Sequence, residues 1–341
     1  MPAPELPPSA ALINLISGTW VTQLIYVAAK LGLADRLRDG PKPVEELASA
    51  TGMDPQSLYR VLRALASFGV FRETAPRCFE LTPLAHCLRS DVPDSLQAVA
   101  VFYGEPWHRA AWSSLLHSVK TAQPAFNHVA GEPFFEHVQK HPEVAAIFDQ
   151  AMTNFSGMAI GAVLAAYDFT GIGKLVDVAG GHGSLLAAIL QAYPAMRGVL
   201  FDMPTVIDGA RQKQLLEQAG VADRCELVGG DFFRAVPAGA DGYLMKHIIH
   251  DWSDDHALNI LRNCRRAMSP SGRLLLVEMV IPPGNEPHFG KLLDLEMLVM
   301  TQGGRERTES EYRALLAAAG FELTRIVPTR SPASVIEGQP I

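Results

Sequence analysis

Residues 174–190 read KLVDVAGGHGSLLAAIL. A short, mostly apolar run leads into three closely spaced glycines, Gly180, Gly181 and Gly183, and then into a helix start. This is the pattern of a buried strand, a glycine turn and a helix. Such turns hold cofactors, and the residues around this one narrow the choice. A dinucleotide fingerprint needs G-x-G-x-x-G, but counting from Gly181 the third slot is Leu186. No GK[ST] follows, so this is no phosphate-binding P-loop. Asp177 stands just before the turn, where it repels a pyrophosphate and suits a cationic ligand. S-adenosylmethionine has an ammonium, a sulfonium and an adenosine, and no phosphate.

From Gly173 onward strands and helices alternate. Strands are expected at KLVDVAG, RGVLFDM, CELVGGDFF, ADGYLMKHII, GRLLLVEMVI and ELTRIVPT. Helices are expected at SLLAAILQAYP, VIDGARQKQLLEQAG, DDHALNILRNCRRAM and ERTESEYRALLAAAGF. The fold class is therefore α/β, an open and mostly parallel sheet of Rossmann-like type, whose ligands sit at the carboxyl ends of the strands. Asp202 ends the second strand, 25 positions after Asp177, where a carboxylate can accept both ribose hydroxyls. Met203 follows it. Asp231 ends the third strand beside Phe232, placed to take an exocyclic amine.

The end of the fourth strand carries MKHIIHDWSDDH. His247, His250 and His256 with Asp251, Asp254 and Asp255 can be read as a metal cluster. The sharper reading takes no metal and makes His250 a general base, because a histidine titrates near neutrality and a carboxylate can hold its tautomer. Glu278, ending the fifth strand, and Glu306, in GGRERTESEY, are the candidates for that carboxylate. The competing role for either is a salt bridge to Arg273, Arg305 or Arg307.

The first third reads as helices followed by a helix-turn-helix and wing. Val44 to Ala50 is a short helix, Gly52 a turn, and Pro55 to Phe68 a second helix with Asp54 as N-cap and Gly69 as stop. Leu12, Leu15, Trp20, Leu24, Val27 and Leu31 recur at helical spacing and exceed what one small domain buries, which points to a subunit interface. Net charge is −7, so no basic field draws in nucleic acid. No apolar run reaches the length of a membrane span, and residues 1–9 lack a signal-peptide pattern. The 4 cysteines are scattered, as suits reduced thiols in a cytoplasmic protein. Between Pro93 and Tyr167, aromatics including Phe102, Trp112, Phe148 and Phe155 recur in helices, as core or as the wall of a flat apolar pocket.

Taken together, LVDVAGGHGSLLAAILQAYP, FDMPTVIDGA, GGDFF, MKHIIHDWSDDHALNILRNC and GGRERTESEYRALLAAAGF resemble the S-adenosylmethionine-dependent O-methyltransferases, from about Ala10 to Thr329. The long connection from Asp202 to Asp231 looks more like the bacterial, secondary-metabolite branch. The resemblance implies a winged-helix dimerisation domain over 10–92, a helical linker and substrate-pocket layer over 93–168, and a cofactor domain over 169–335. It implies that Gly180 and Gly181, with Asp177, approach the methionine part of the cofactor, and that Asp202 takes the ribose. Met203 and Phe232 flank the adenine, Asp231 takes its amine, Lys246 lies beside the cofactor and Ser156 near its carboxylate end. His250 deprotonates the acceptor hydroxyl, Glu278 and Glu306 hold it, and Asp251 orients the substrate. Phe148, Met152 and Met297, with Trp112, line a pocket for a phenolic or polyketide ring. The first helices of one subunit close the partner's pocket in a homodimer. Three departures from the family stand out. Ala179 replaces a glycine of DVGGGxG, where a methyl is tolerable if the residue is still strand-like but narrows the turn. His247 stands where plant members have tryptophan, and Thr301 and Gln302 where they have Asn-Pro. Proteins of this fold also run other chemistry with the same cofactor, such as hydroxylation, decarboxylation or pericyclic rearrangement, so fold alone leaves that alternative open.

Overall fold

The computed structural model describes residues 7–341, apart from the side chains at 156 and 158. The chain divides into two compact units, one running to Ala110 and including Phe135–Phe155, the other made of Ala111–Phe134 and Ser156–Ile341. The last boundary, between Phe155 and Ser156, falls inside the helix Pro142–Ala166.

In the first unit, helices Pro8–Ile16, Gly18–Lys30 and Leu33–Arg36 precede the pair Val44–Thr51 and Pro55–Ser67. Asp54 caps the last of these by accepting the Ser57 N–H at 2.7 Å. Gly69, at φ +73°, carries the chain out of the helix, where a side chain would be strained. Strands β1 (Lys42–Pro43), β2 (Phe71–Ala75) and β3 (Cys78–Leu81) form a small antiparallel sheet in the order β1-β3-β2. Leu58, Leu62 and Leu65 turn one face of Pro55–Ser67 into a core with Leu33, Leu47, Phe71 and Phe79. Leu24 packs against that core, whereas Leu12, Leu15 and Trp20 stay exposed. No single helix among the described residues is long and apolar enough to cross a membrane.

The second unit holds a seven-stranded sheet. Its strands are β4 (Lys174–Val178), β5 (Arg197–Asp202), β6 (Cys225–Gly229), β7 (Gly242–Lys246) and β8 (Arg273–Glu278). After β8 come β9 (Val280–Ile281), β10 (Arg307–Thr308), β11 (Phe321–Pro328) and β12 (Ser334–Pro340). The sheet order is β11-β12-β8-β7-β4-β5-β6, parallel from β8 to β6. β12 runs antiparallel between β11 and β8. Apolar residues of both sheet faces are buried under helices, which is why these strands read as nearly continuous apolar runs. The protein thus has the expected mixed α/β, mostly parallel, Rossmann-like fold.

The structure corrects the reading at several points. Ala179 is not strand-like: it sits at φ +57°, in the left-handed region that L-residues other than glycine seldom enter. Asp231 does not end β6 but lies two residues past Gly229. The run GRLLLVEMVI is two strands, because β9 leaves the main sheet to pair with β10. The helix expected from VIDGARQKQLLEQAG breaks at Gln214, φ +49°. Strand β12 was not foreseen.

Candidate active site

The carboxyl ends of β4 and β5 build one half of the site. Asp177 is almost fully buried in β4. Burial pushes its pKa up to about 7, Lys246 opposing and Asp202 reinforcing the shift. At Gly180 an added Cβ would lie 2.5 Å from Leu200 and 2.6 Å from Asp177, so only glycine lets the backbone turn there. Gly181, at φ +61°, faces open space. Asp202 fixes this turn: its Oδ2 accepts the Gly181 N–H at 2.8 Å and its Oδ1 the Met203 N–H at 2.7 Å. Each oxygen keeps a lone pair for a ligand hydroxyl. Asp231 Oδ1 accepts the Phe233 N–H at 2.9 Å, and Asn263 donates to the Phe232 carbonyl at 2.7 Å. Met203 is exposed. Buried carboxylates, a glycine cradle and no surplus of cations fit a cationic nucleoside and not a pyrophosphate. Lys246 ends β7, where burial lowers its pKa while Asp177 and Glu278 hold it up.

The ends of β7 and β8 build the other half. The chain turns after Lys246 through His247, at φ +53°, into a single 3-10 turn, Ile249–Asp251. His250 is 7 % exposed. Its Nδ1 lies 2.6 Å from Glu306 Oε1. A carboxylate can only accept, so Nδ1 carries the hydrogen and Nε2 is left for proton exchange. Asp251 Oδ1 is 3.6 Å from that Nε2. Burial works against charge on His250, but Glu278, Asp251 and Glu306 outweigh it and raise its pKa to about 10. Burial raises Asp251 to about 6, although His250 pulls it down.

Both glutamates border the imidazole, but they act on it differently. Glu306 makes the direct bond. Glu278 Oε1 instead accepts the Ile248 and Ile249 N–H groups, at 3.0 and 2.8 Å, and so props the turn that carries His250. Its Oε2 acts on His250 only through its charge, 3.8 Å from Nδ1. Burial raises Glu278 to about 7, against the pull of His250.

Glu306 reaches His250 because β9 and β10 pair in parallel, Arg307 opposite Val280, which lays the GGRER segment along the end of β8. Sequence reasoning missed what locks this segment. Arg307 is fully buried and donates to the carbonyls of Ile249, Trp252 and Arg305 and to Asp254. The Arg305 N–H donates to the His250 carbonyl at 2.7 Å. At Gly304 a Cβ would come 2.7 Å from that same carbonyl oxygen, so the segment seats only with glycine there. Arg307 thus pairs with Asp254 and Arg305 with Glu311, not with the glutamates of the site. His256 turns away to Ser253 Oγ, at 2.8 Å.

Of the expected pocket residues, Met297 is buried on the helix Phe289–Met300, and Trp112 donates its indole N–H to Glu296 on that helix. Phe148 and Met152 belong to the first unit, where Phe148 packs against Phe102 and Phe135. Ser156 lies in the helix Pro142–Ala166, and its side chain is outside the described residues.

The sheet order, the glycine cradle and the histidine-bearing turn define an S-adenosylmethionine-dependent methyltransferase. The chain belongs to the O-methyltransferase family: the O-methyltransferase domain matches residues 112–322 and the O-methyltransferase dimerisation domain residues 13–91. It is similar to the phenazine O-methyltransferase of Lysobacter antibioticus, 49 % identical over 99 % of this chain and 98 % of that protein. It is also similar to the mitomycin biosynthesis 6-O-methyltransferase of Streptomyces lavendulae, 40 % identical over 98 % and 97 %. Among solved structures, the calicheamicin-biosynthesis methyltransferase CalO1 in its S-adenosylhomocysteine-bound form superposes with a TM-score of 0.88, at 35 % identity, over 99 % of this chain and all of that one (100 %).

Proposed function

We propose that the protein methylates a hydroxyl of a small aromatic acceptor, phenolic or polyketide, with His250 as the general base. The observation that carries this reading is the 2.6 Å bond from His250 Nδ1 to Glu306, which leaves Nε2 as the proton-accepting atom beside Asp251. When bound, the cofactor supplies a methyl group made electrophilic by its sulfonium. Asp202 holds the ribose, Asp231 the adenine amine, Met203 and Phe232 the adenine faces, and Gly180 and Gly181 the methionine end, with Asp177, Lys246 and Ser156 beside it. His250 takes the acceptor proton. Its conjugate acid, raised to about 10, is matched to a phenol of ordinary acidity, so the transfer is close to thermoneutral. Glu278 and Glu306 stabilise the resulting imidazolium, and Asp251 orients the acceptor. Met297 and Trp112, in the same unit as His250, clamp its ring.

The dimerisation domain spans 10–92, the pocket layer 93–168 and the cofactor domain 169–335. The exposed Leu12, Leu15 and Trp20 support a homodimer formed through the N-terminal helices. The 4 free cysteines suit action in the cytoplasm.

The test is purified protein incubated with isotopically labelled S-adenosylmethionine and a phenolic panel, read by mass, in parallel with His250→Ala. The variant should lose roughly 10²- to 10⁴-fold in kcat with cofactor affinity unchanged. Near-normal transfer by His250→Ala refutes the base.

A further inference from the structure

We propose that His247 is a positioning residue of the same cluster: its Nδ1–H donates to Glu278 Oε2 and holds that oxygen's charge opposite His250. The proposal rests on the reading of His250 as the base. It starts from register. β7 and β8 are paired in parallel as far as Lys246 and Val277, so the next residues out are His247 and Glu278. His247 enters the left-handed region there, at φ +53°, while its own N–H stays bonded to the Val277 carbonyl at 3.0 Å. Backbone strain of this kind persists where the surroundings impose it and concentrates at functional sites.

The second observation is a pair of orphans. Glu278 Oε2 and His247 Nδ1 are both buried and both lack a hydrogen-bond partner. They face each other at 3.8 Å. Buried polar atoms without partners are rare and costly. A side-chain rotation that closes the gap by about 1 Å satisfies both at once. Glu278 already spends Oε1 on the Ile248 and Ile249 N–H groups, so His247 is a donor for Oε2, with the Tyr312 hydroxyl also facing this carboxylate from the helix Glu309–Ala318.

The charges around the imidazole set its form. Lys246 adjoins it on β7 with Asp177 beyond on β4, His250 and Asp251 face the cluster from the 3-10 turn, Glu278 from β8 and Glu306 from the segment before β10. Burial, Lys246 and His250 together hold the His247 pKa well below its ordinary value, so the ring is neutral and carries a single N–H. The His247 and His250 rings lie 5.4 Å apart at 32°. His247, His250 and Glu278 are close enough together to suggest a metal trio. Since His250 Nδ1 is already bonded to Glu306, a hydrogen bond between the other two is the better account.

Full-length protein without added ligand is titrated by NMR of ¹⁵N-labelled histidine side chains, the His250 signal being identified by its loss in His250→Ala. In His247→Leu, which removes the donor, the His250 titration should fall by about one pH unit or more, because the released Oε2 can turn its charge away from the imidazole. His247→Asn keeps an N–H at the equivalent position and tolerates the left-handed backbone, so its titration should stay at the wild-type value. In a Glu278→Gln background, His247→Leu should add no further shift. If His247→Leu does not fold, His247→Ala replaces it, since this chain already accepts alanine at φ +57°. An unmoved titration in the donor-less variant overturns the proposal. So does a fall in His247→Asn equal to that in His247→Leu, or full additivity with Glu278→Gln. The readout is independent of turnover. Should His250→Ala retain methyl transfer, the base assignment fails while the titration still decides the His247–Glu278 pairing.

Discussion

Glu278→Gln removes one charge and almost no shape. The glutamine amide oxygen can still accept the Ile248 and Ile249 N–H groups, so the turn under His250 keeps its prop. What disappears is a negative charge 3.8 Å from His250 Nδ1. At an effective dielectric near 20, unit charges about 4 Å apart interact by about 4 kcal/mol. At about 1.4 kcal/mol per unit, that is close to three pKa units. Glu278 itself is raised only to about 7, so it is ionised where His250 titrates, near 10, and the whole interaction counts there. The sign follows: without the carboxylate the imidazolium is less stable, and the neutral base forms at lower pH. The assay is kcat/KM against pH from about 6 to about 11, which reports the free enzyme's base. In wild type the rate should climb until His250 is neutral and then level off. In the variant the inflection should move down by about two to three units, and the high-pH plateau should drop because the base is weaker. An inflection that stays in place, or rises, refutes the electrostatic role given to Glu278.

Asp202→Ala should weaken S-adenosylmethionine binding by about 2 kcal/mol or more through lost charge-assisted hydrogen bonds, and calorimetry giving unchanged affinity would remove the cofactor from this position. Ala179→Gly relieves a left-handed alanine and should raise the melting temperature by the equivalent of up to about 1 kcal/mol; scanning calorimetry with a lowered Tm would contradict this. Trp20→Asp places a charge on the most prominent exposed aromatic of the N-terminal helices and should shift sedimentation from dimer toward monomer, whereas an unaltered dimer would move the interface elsewhere.

The catalytic-domain fold was legible because its signals are local. Buried strands announce themselves by short apolar runs, and Asp202 and Glu278 each close such a run, as the structure has them. The positive φ of Ala179 and His247 was not legible, since neither residue type asks for it; tertiary surroundings impose it. The pairing of Glu306 with His250 was open to inference from the resemblance, but the different part played by Glu278 depends on two backbone N–H groups in a turn whose shape no periodicity encodes. Arg307 was hidden for a related reason. By sequence it competes for the glutamates, and only the two-residue ladder of β9 and β10 aims it at carbonyls and Asp254 instead. β12 escaped notice because SVIEGQP breaks its apolar run with Glu337 and Gly338, and Glu337 is satisfied by Tyr167, Thr324 and Arg325, contacts remote in sequence.

The strand order also bears on how such a chain can change over generations. β4 stands between β5, whose rim carries Asp202, and β7, whose rim leads into His250. The hydrogen bonds that shape the donor cradle, from Gly181 and Met203 to Asp202, involve no residue of β7 to β10. The bonds that seat His250, through Glu306, Glu278 and Arg307, involve no residue of β5 or β6. Lys246, between Asp177 and Glu278, is where the two halves meet. Substitutions can therefore accumulate on one flank while the other is inherited intact: under the proposed assignment, descendants can be rewritten for new acceptors along the β8–β10 rim and still draw on the same methyl donor.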